Sequence, residues 1–192
     1  LRYVSGGELA AFRTASSDEL RERVYAAAEE EAHQEAKTSG GTFRPERFRA
    51  QFLQEVPRGW LEMRQAFGPA GEYGRWLRAR PVIVKINGVL FLHGGVSPST
   101  ASLGCAGINQ TIRAEVNDTS LSPIDLQARL LTSETGPLWY RGLALEPEGS
   151  FRPVLETILT AMDARAVVVG HTVVPGGRIT SRFDGGVVQL DT

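Results

Sequence analysis

The chain has 192 residues and a formal charge of −1, from 21 Lys and Arg against 22 Asp and Glu. That balance gives no electrostatic argument for nucleic acid or an anionic membrane, and no apolar run approaches the ~20 residues that cross a bilayer. Its 42% apolar and 22% charged content is that of a soluble globular protein, long enough for one domain with a sizeable core. The single cysteine, Cys105, excludes an intramolecular disulfide and fits a reducing compartment, so the expectation is cytoplasmic or organellar rather than secreted. Leu1 opens the chain with no secretory signal pattern, and VVQLDT stops within a strand-like run. Both ends read as cut, which makes a piece of a longer protein the expectation.

Residues 1–80 read as mostly helical. In SSDELRERVYAAAEEEAHQEAK, Ser16 stands three residues before Glu19, the spacing of a capping box, and Gly40 and Gly41 close the helix. Its apolar stripe is thin (Leu20, Val24, Ala27, Ala28), and Glu29, Glu30 and Glu31 read as a solvated face, as does His33. Pro45 opens a second helix over RPERFRAQFLQEV, with Phe48, Phe52 and Val56 at helical spacing. A short third helix fits Gly71 to Ala79, and Pro81 ends it.

From Pro81 the period changes. VIVKI and VLFLH are apolar runs joined by Asn87-Gly88, a strong hairpin signal because a type I′ turn needs positive φ at both positions. Their continuous apolarity predicts strands buried on both faces. Helices are expected over GINQTIRAEV, with Ile108, Ile112 and Val116 on one face, and over SPIDLQARLL, capped by Ser122 with Pro123 first. The loop TSETGPLWYRGLALEPEG follows. SFRPVLETILTAM is amphipathic through Val154, Leu155, Ile158, Leu159 and Met162. AVVVGHT is a second buried strand, and RITSRF and VVQLDT form a final hairpin around Asp184, Gly185 and Gly186. Helices first and mixed elements later place the fold in the α/β or α+β class.

Of the three histidines, His93 and His171 each end an apolar strand beside glycine: His93-Gly94-Gly95 and Gly170-His171-Thr172. Strand ends are where α/β sheets form binding crevices, glycine admits close approach of backbone to a ligand, and imidazole suits Zn, Fe and Mn. Taken singly, each would be a core histidine bonded to backbone. The repeated pattern brings metal binding level with that reading, although two histidines do not complete a site. Arg141 is a candidate to grip phosphate, since a guanidinium spans two oxygens; the plain alternative is a surface arginine. Trp139 and Tyr140 are expected to pack beneath the loop or line the cleft.

The segments LFLHGGVSP and VVVGHT resemble the later motifs of the calcineurin-like metallophosphoesterases, and more narrowly of the phosphoprotein phosphatase group. GPLWYRG and the opening LRYVSGGE resemble its Shewanella-like phosphatase branch. The resemblance covers about residues 1–12 and 81–192, with the helical stretch of about 13–80 looking like an insertion. It implies a layered αββα sandwich, of which this chain is an incomplete C-terminal portion, and a site of two divalent cations (Mn, Fe or Zn). By match, His93 and His171 are ligands of one metal, Arg141 orients the phosphate and Tyr140 joins it in binding substrate. Arg2 is a weaker phosphate candidate, Asp191 reads as structural, and Cys105 is not a nucleophile. The family's GDxHG, GDxxDRG and GNHE motifs do not occur in this sequence. The implied activity is hydrolysis of phosphate monoesters, with phosphoprotein (Ser/Thr or Tyr) as substrate and this chain inactive alone. A small phosphate ester or dinucleoside polyphosphate is the alternative substrate, and a non-catalytic binding module the alternative of a different class.

Overall fold

In the computed structural model, residues 4–118 and 129–191 are described. They divide into two units, Leu1–Leu77 and Arg78–Thr192. The first is helical: α1 (Gly6–Ala11), α2 (Ser17–Ser39), α3 (Pro45–Glu55), α4 (Trp60–Phe67) and most of α5 (Glu72–Arg78). Ser5 and Glu8 cap α1 reciprocally, each side chain bonding the other's backbone N–H. The box expected at Ser16 does not form, because Ser16 has φ −94° and ψ 7° rather than an extended backbone, and its hydroxyl makes no cap bond. Ser17, the first helical residue, bonds away from the helix: its Oγ accepts from the Thr14 N–H and donates to Glu62. Gly40 closes α2 in the left-handed region, at φ 70°. Tyr25 packs edge-on against Phe52 and tilted on Phe48, so α2 and α3 pair through aromatics. His33 is exposed and stacks on Phe43.

The second unit carries a five-stranded sheet in the order β1-β2-β3-β5-β4, formed by β1 (Ile83–Ile86), β2 (Val89–Leu92), β3 (Ala166–Val169), β4 (Thr180–Arg182) and β5 (Val187–Gln189). The hairpins β1–β2 and β4–β5 are antiparallel, while β2–β3 and β3–β5 are parallel. Asn87 and Gly88 have φ 50° and 75°, as a type I′ hairpin requires. The unit's helices are α6 (Pro98–Ala101), α7 (Gly104–Asn117), α8 (Gly142–Leu145) and α9 (Glu148–Ala161). The helix expected from Ser122 lies outside the described residues.

One sheet face is core. Ile83, Leu90, Val167, Val169 and Val187 are buried and pack with Ile108 and Ile112 of α7 and Leu155 and Ile158 of α9; burying each such side chain contributes about 1.5–3 kcal/mol. The other face corrects the expectation of strands buried on both sides. Val84, Phe91, Val168 and Val188 share one cross-strand row, and Ile86, Val89 and Ala166 the next. In these rows Ile86 is 57% and Phe91 37% exposed, although both rows are apolar. At the β1 edge the Asn109 carbonyl oxygen accepts from the Val82 and Ile83 N–H groups and its amide donates to the Ile83 carbonyl, satisfying backbone that would otherwise lack a partner strand.

Candidate functional site

β2 and β3 run parallel in register, Leu92 beside Val169, so the residues just past each strand emerge on the same sheet edge. His93 follows β2 directly and His171 follows β3 after Gly170, which donates its N–H to the His93 carbonyl at 2.8 Å. The two rings meet with Nδ1 of His171 3.0 Å from Nε2 of His93 and centroids 4.8 Å apart. The structure thus brings together two histidines that are far apart in the chain. His93 is exposed and His171 half-buried, its Nε2 covered and without a hydrogen-bond partner among the described residues.

His171 sits at φ 63°, a left-handed conformation that costs a non-glycine residue about 1–3 kcal/mol and tends to mark functional sites. Burial holds the His171 pKa below the ordinary imidazole value, and the charges of Arg141 and His93 push the same way against Asp191. The neutral imidazole is therefore favoured, and that is the form that binds metal. Among the described residues no group of three His, Cys, Asp or Glu side chains is placed to hold a cation, so the pair supplies two donors and no more.

The glycines after His93 have a role that the sequence did not reveal. The N–H groups of Gly94 and Gly95 both donate to the Pro137 carbonyl, at 2.8 and 3.2 Å. A Cβ on Gly94 would lie 2.7 Å from the Leu138 carbonyl carbon, and one on Gly95 2.9 Å from the Tyr140 carbonyl oxygen. Those glycines admit the segment 137–140, which carries the next candidates. Arg141 follows it, exposed, with Nη1 donating to Thr172 Oγ1 at 3.4 Å. Tyr140 is half-buried against the core, its ring close to Gly95 and Gly142, and burial pushes its phenol pKa up. Arg2 lies outside the described residues. Asp191 accepts the Val174 N–H through its backbone carbonyl, and Cys105 is half-buried in α7 with its thiol pKa raised by burial. Sequence reasoning did not identify Thr172 as a contact of Arg141 or Trp139 as a contact of His171; only the Trp-Tyr-Arg-Gly run pointed near them.

The fold and site define a mixed α/β protein with paired imidazoles at the ends of adjacent parallel strands. No protein-family profile matches the chain. It is 30% identical over 128 residues to Shewanella-like protein phosphatase 1 of Plasmodium berghei (strain Anka), a match covering 65% of this chain and 35% of that protein. Among solved structures it resembles a point mutant of a cold-active protein tyrosine phosphatase, at TM-score 0.59 and 32% identity over 74% of this chain and 42% of that one. The cold-active protein-tyrosine phosphatase of a psychrophilic Shewanella species matches at TM-score 0.56 and 33% identity, over 74% of this chain and 41% of that one. The chain spans about two fifths or less of the length of these relatives.

Proposed function

We propose that this chain is part of a metal-dependent phosphomonoesterase of the calcineurin-like class that dephosphorylates proteins. The observation that carries the proposal is the convergence of His93 Nε2 and His171 Nδ1 at 3.0 Å. At that separation both nitrogens would lie within reach of one shared cation. Depression of the His171 pKa keeps its lone pair available near neutrality. The names of the relatives support phosphoprotein as substrate.

His93 and His171 would hold one cation and Arg141 would grip phosphate oxygens, with Tyr140 shaping the wall behind it. Two divalent cations would supply Lewis acidity toward the phosphate and a water acidified enough to act as nucleophile near neutral pH. Two imidazoles cannot fix such a pair, so the proposal assigns the other ligands to polypeptide outside this sequence. The apolar second sheet face, with Ile86 and Phe91 exposed, supports the same reading, since a second layer of a sandwich would cover it.

The test is hydrolysis of p-nitrophenyl phosphate with added Mn²⁺, with metal content measured in parallel. The 192-residue chain should show no turnover. A longer polypeptide that also carries GDxHG, GDxxDRG and GNHE should bind two metals and hydrolyse the ester, and His171→Ala should abolish that turnover while leaving the fold intact. Near-normal activity of the variant, or a parent sequence without those motifs, would overturn the proposal.

A further inference from the structure

We infer that Trp139 is a positioning residue whose indole sets the orientation of the His171 imidazole. The inference rests on the metal-site reading above for its purpose, but not for its geometry. The indole meets the His171 ring edge to face, with centroids 5.4 Å apart and planes at 90°. Aromatic pairs favour that arrangement, because a positive ring edge meets a negative face. The indole is itself fixed: Nε1–H donates to the Leu131 carbonyl at 3.0 Å. Trp139 nonetheless remains 44% exposed, so filling the core does not explain its placement.

His171 needs outside support. Its backbone lies in the left-handed region at φ 63°; its Nδ1 is bonded to His93 Nε2, while its covered Nε2 has no hydrogen-bond partner among the described residues. A metal-ligating histidine is ordinarily aligned by a hydrogen bond from its second nitrogen. Among the described residues Nε2 makes no such bond, and the indole ring packs perpendicular to the imidazole. The neighbouring residue is held from the same side, since Arg141 Nη1 reaches Thr172 Oγ1. Gly94 and Gly95 in turn tie the Trp139 segment to His93 through the Pro137 carbonyl. One loop therefore bears on both histidine turns.

The test uses the metal-free 192-residue chain and compares Trp139→Ala with Trp139→Phe, which keeps an aromatic edge but loses the N–H. Nuclear Overhauser contacts between the indole and His171 ring protons are expected in the unsubstituted chain. Rotamer averaging of His171 is expected in Trp139→Ala, and a largely retained single rotamer in Trp139→Phe, with far-UV circular dichroism unchanged in both. In a Co²⁺ titration Trp139→Ala should weaken binding about tenfold, the lower end for losing an aligning partner, and Trp139→Phe should restore most of it. An unchanged His171 rotamer in Trp139→Ala overturns the inference, even if substrate binding suffers. A chain that binds no Co²⁺ would count against the metal reading instead, and the rotamer comparison would still decide the role of Trp139.

Discussion

His171 joins a left-handed backbone, a covered Nε2 without a hydrogen-bond partner among the described residues and an Nδ1 bonded to another imidazole. Its folded pKa lies below the ordinary value of 6.5, so the unfolded chain takes up this proton first as pH falls. Stability from this group is complete above about pH 6.5 and is lost as pH drops through that value toward the depressed folded pKa. Proton-detected titration of the histidines should show His171 ionising at lower pH than a histidine in a short peptide; an equal or higher midpoint would contradict burial as the dominant influence on this ring. Gly94 yields a second expectation. Gly94→Ala places a methyl 2.7 Å from the Leu138 carbonyl carbon, and overpacking of that kind costs about 1–3 kcal/mol. Urea unfolding should show that loss, and Gly149→Ala, with open space around the added carbon, should not. The pattern of strand, glycine and histidine was legible in the sequence. The reason for the glycines was not, because their close neighbours come from a loop remote in the chain.

At the scale of elements, local chemistry was legible wherever one residue type is nearly obligatory. Asn87-Gly88 placed the β1–β2 hairpin, Pro45 began α3, Gly40 ended α2, and the stripe from Val154 to Met162 marked α9. The helices α1, α4, α6 and α8 went unread, and α8 falls within the segment expected as a loop; α5, no longer than α4, was placed because Pro81 marks its end. The Ser16 box failed because the Ser16 backbone is not extended, and Ser17 bonds Thr14 and Glu62 rather than a helix N–H. Asn109 was read only as part of a helix, yet it bonds the edge of β1 through both ends of its amide. Asn109→Leu should destabilise the second unit by about 1–3 kcal/mol, the cost of leaving buried backbone groups unpaired. Thermal or urea unfolding checks this, and an unchanged midpoint would show that water replaces the amide.

For the whole molecule, the decisive feature is a sheet with one buried face and a second apolar face left exposed at Ile86 and Phe91 of β1 and β2. Sequence apolarity alone could not separate a strand covered on both sides from one whose cover lies elsewhere, so both strands read as fully buried. The open face should bind 8-anilinonaphthalene-1-sulfonate in the 192-residue chain, and Phe91→Ser with Ile86→Thr should cut the fluorescence severalfold with little loss of stability. Undiminished dye binding would place the apolar surface elsewhere. The central claim, that His93 and His171 share one cation, is tested most directly by adding Mn²⁺ to the chain and following its three histidines by proton resonance. His93 and His171 should broaden together at substoichiometric metal, while His33, exposed in the other unit, stays sharp. Equal broadening of all three, or none at millimolar Mn²⁺, would contradict it.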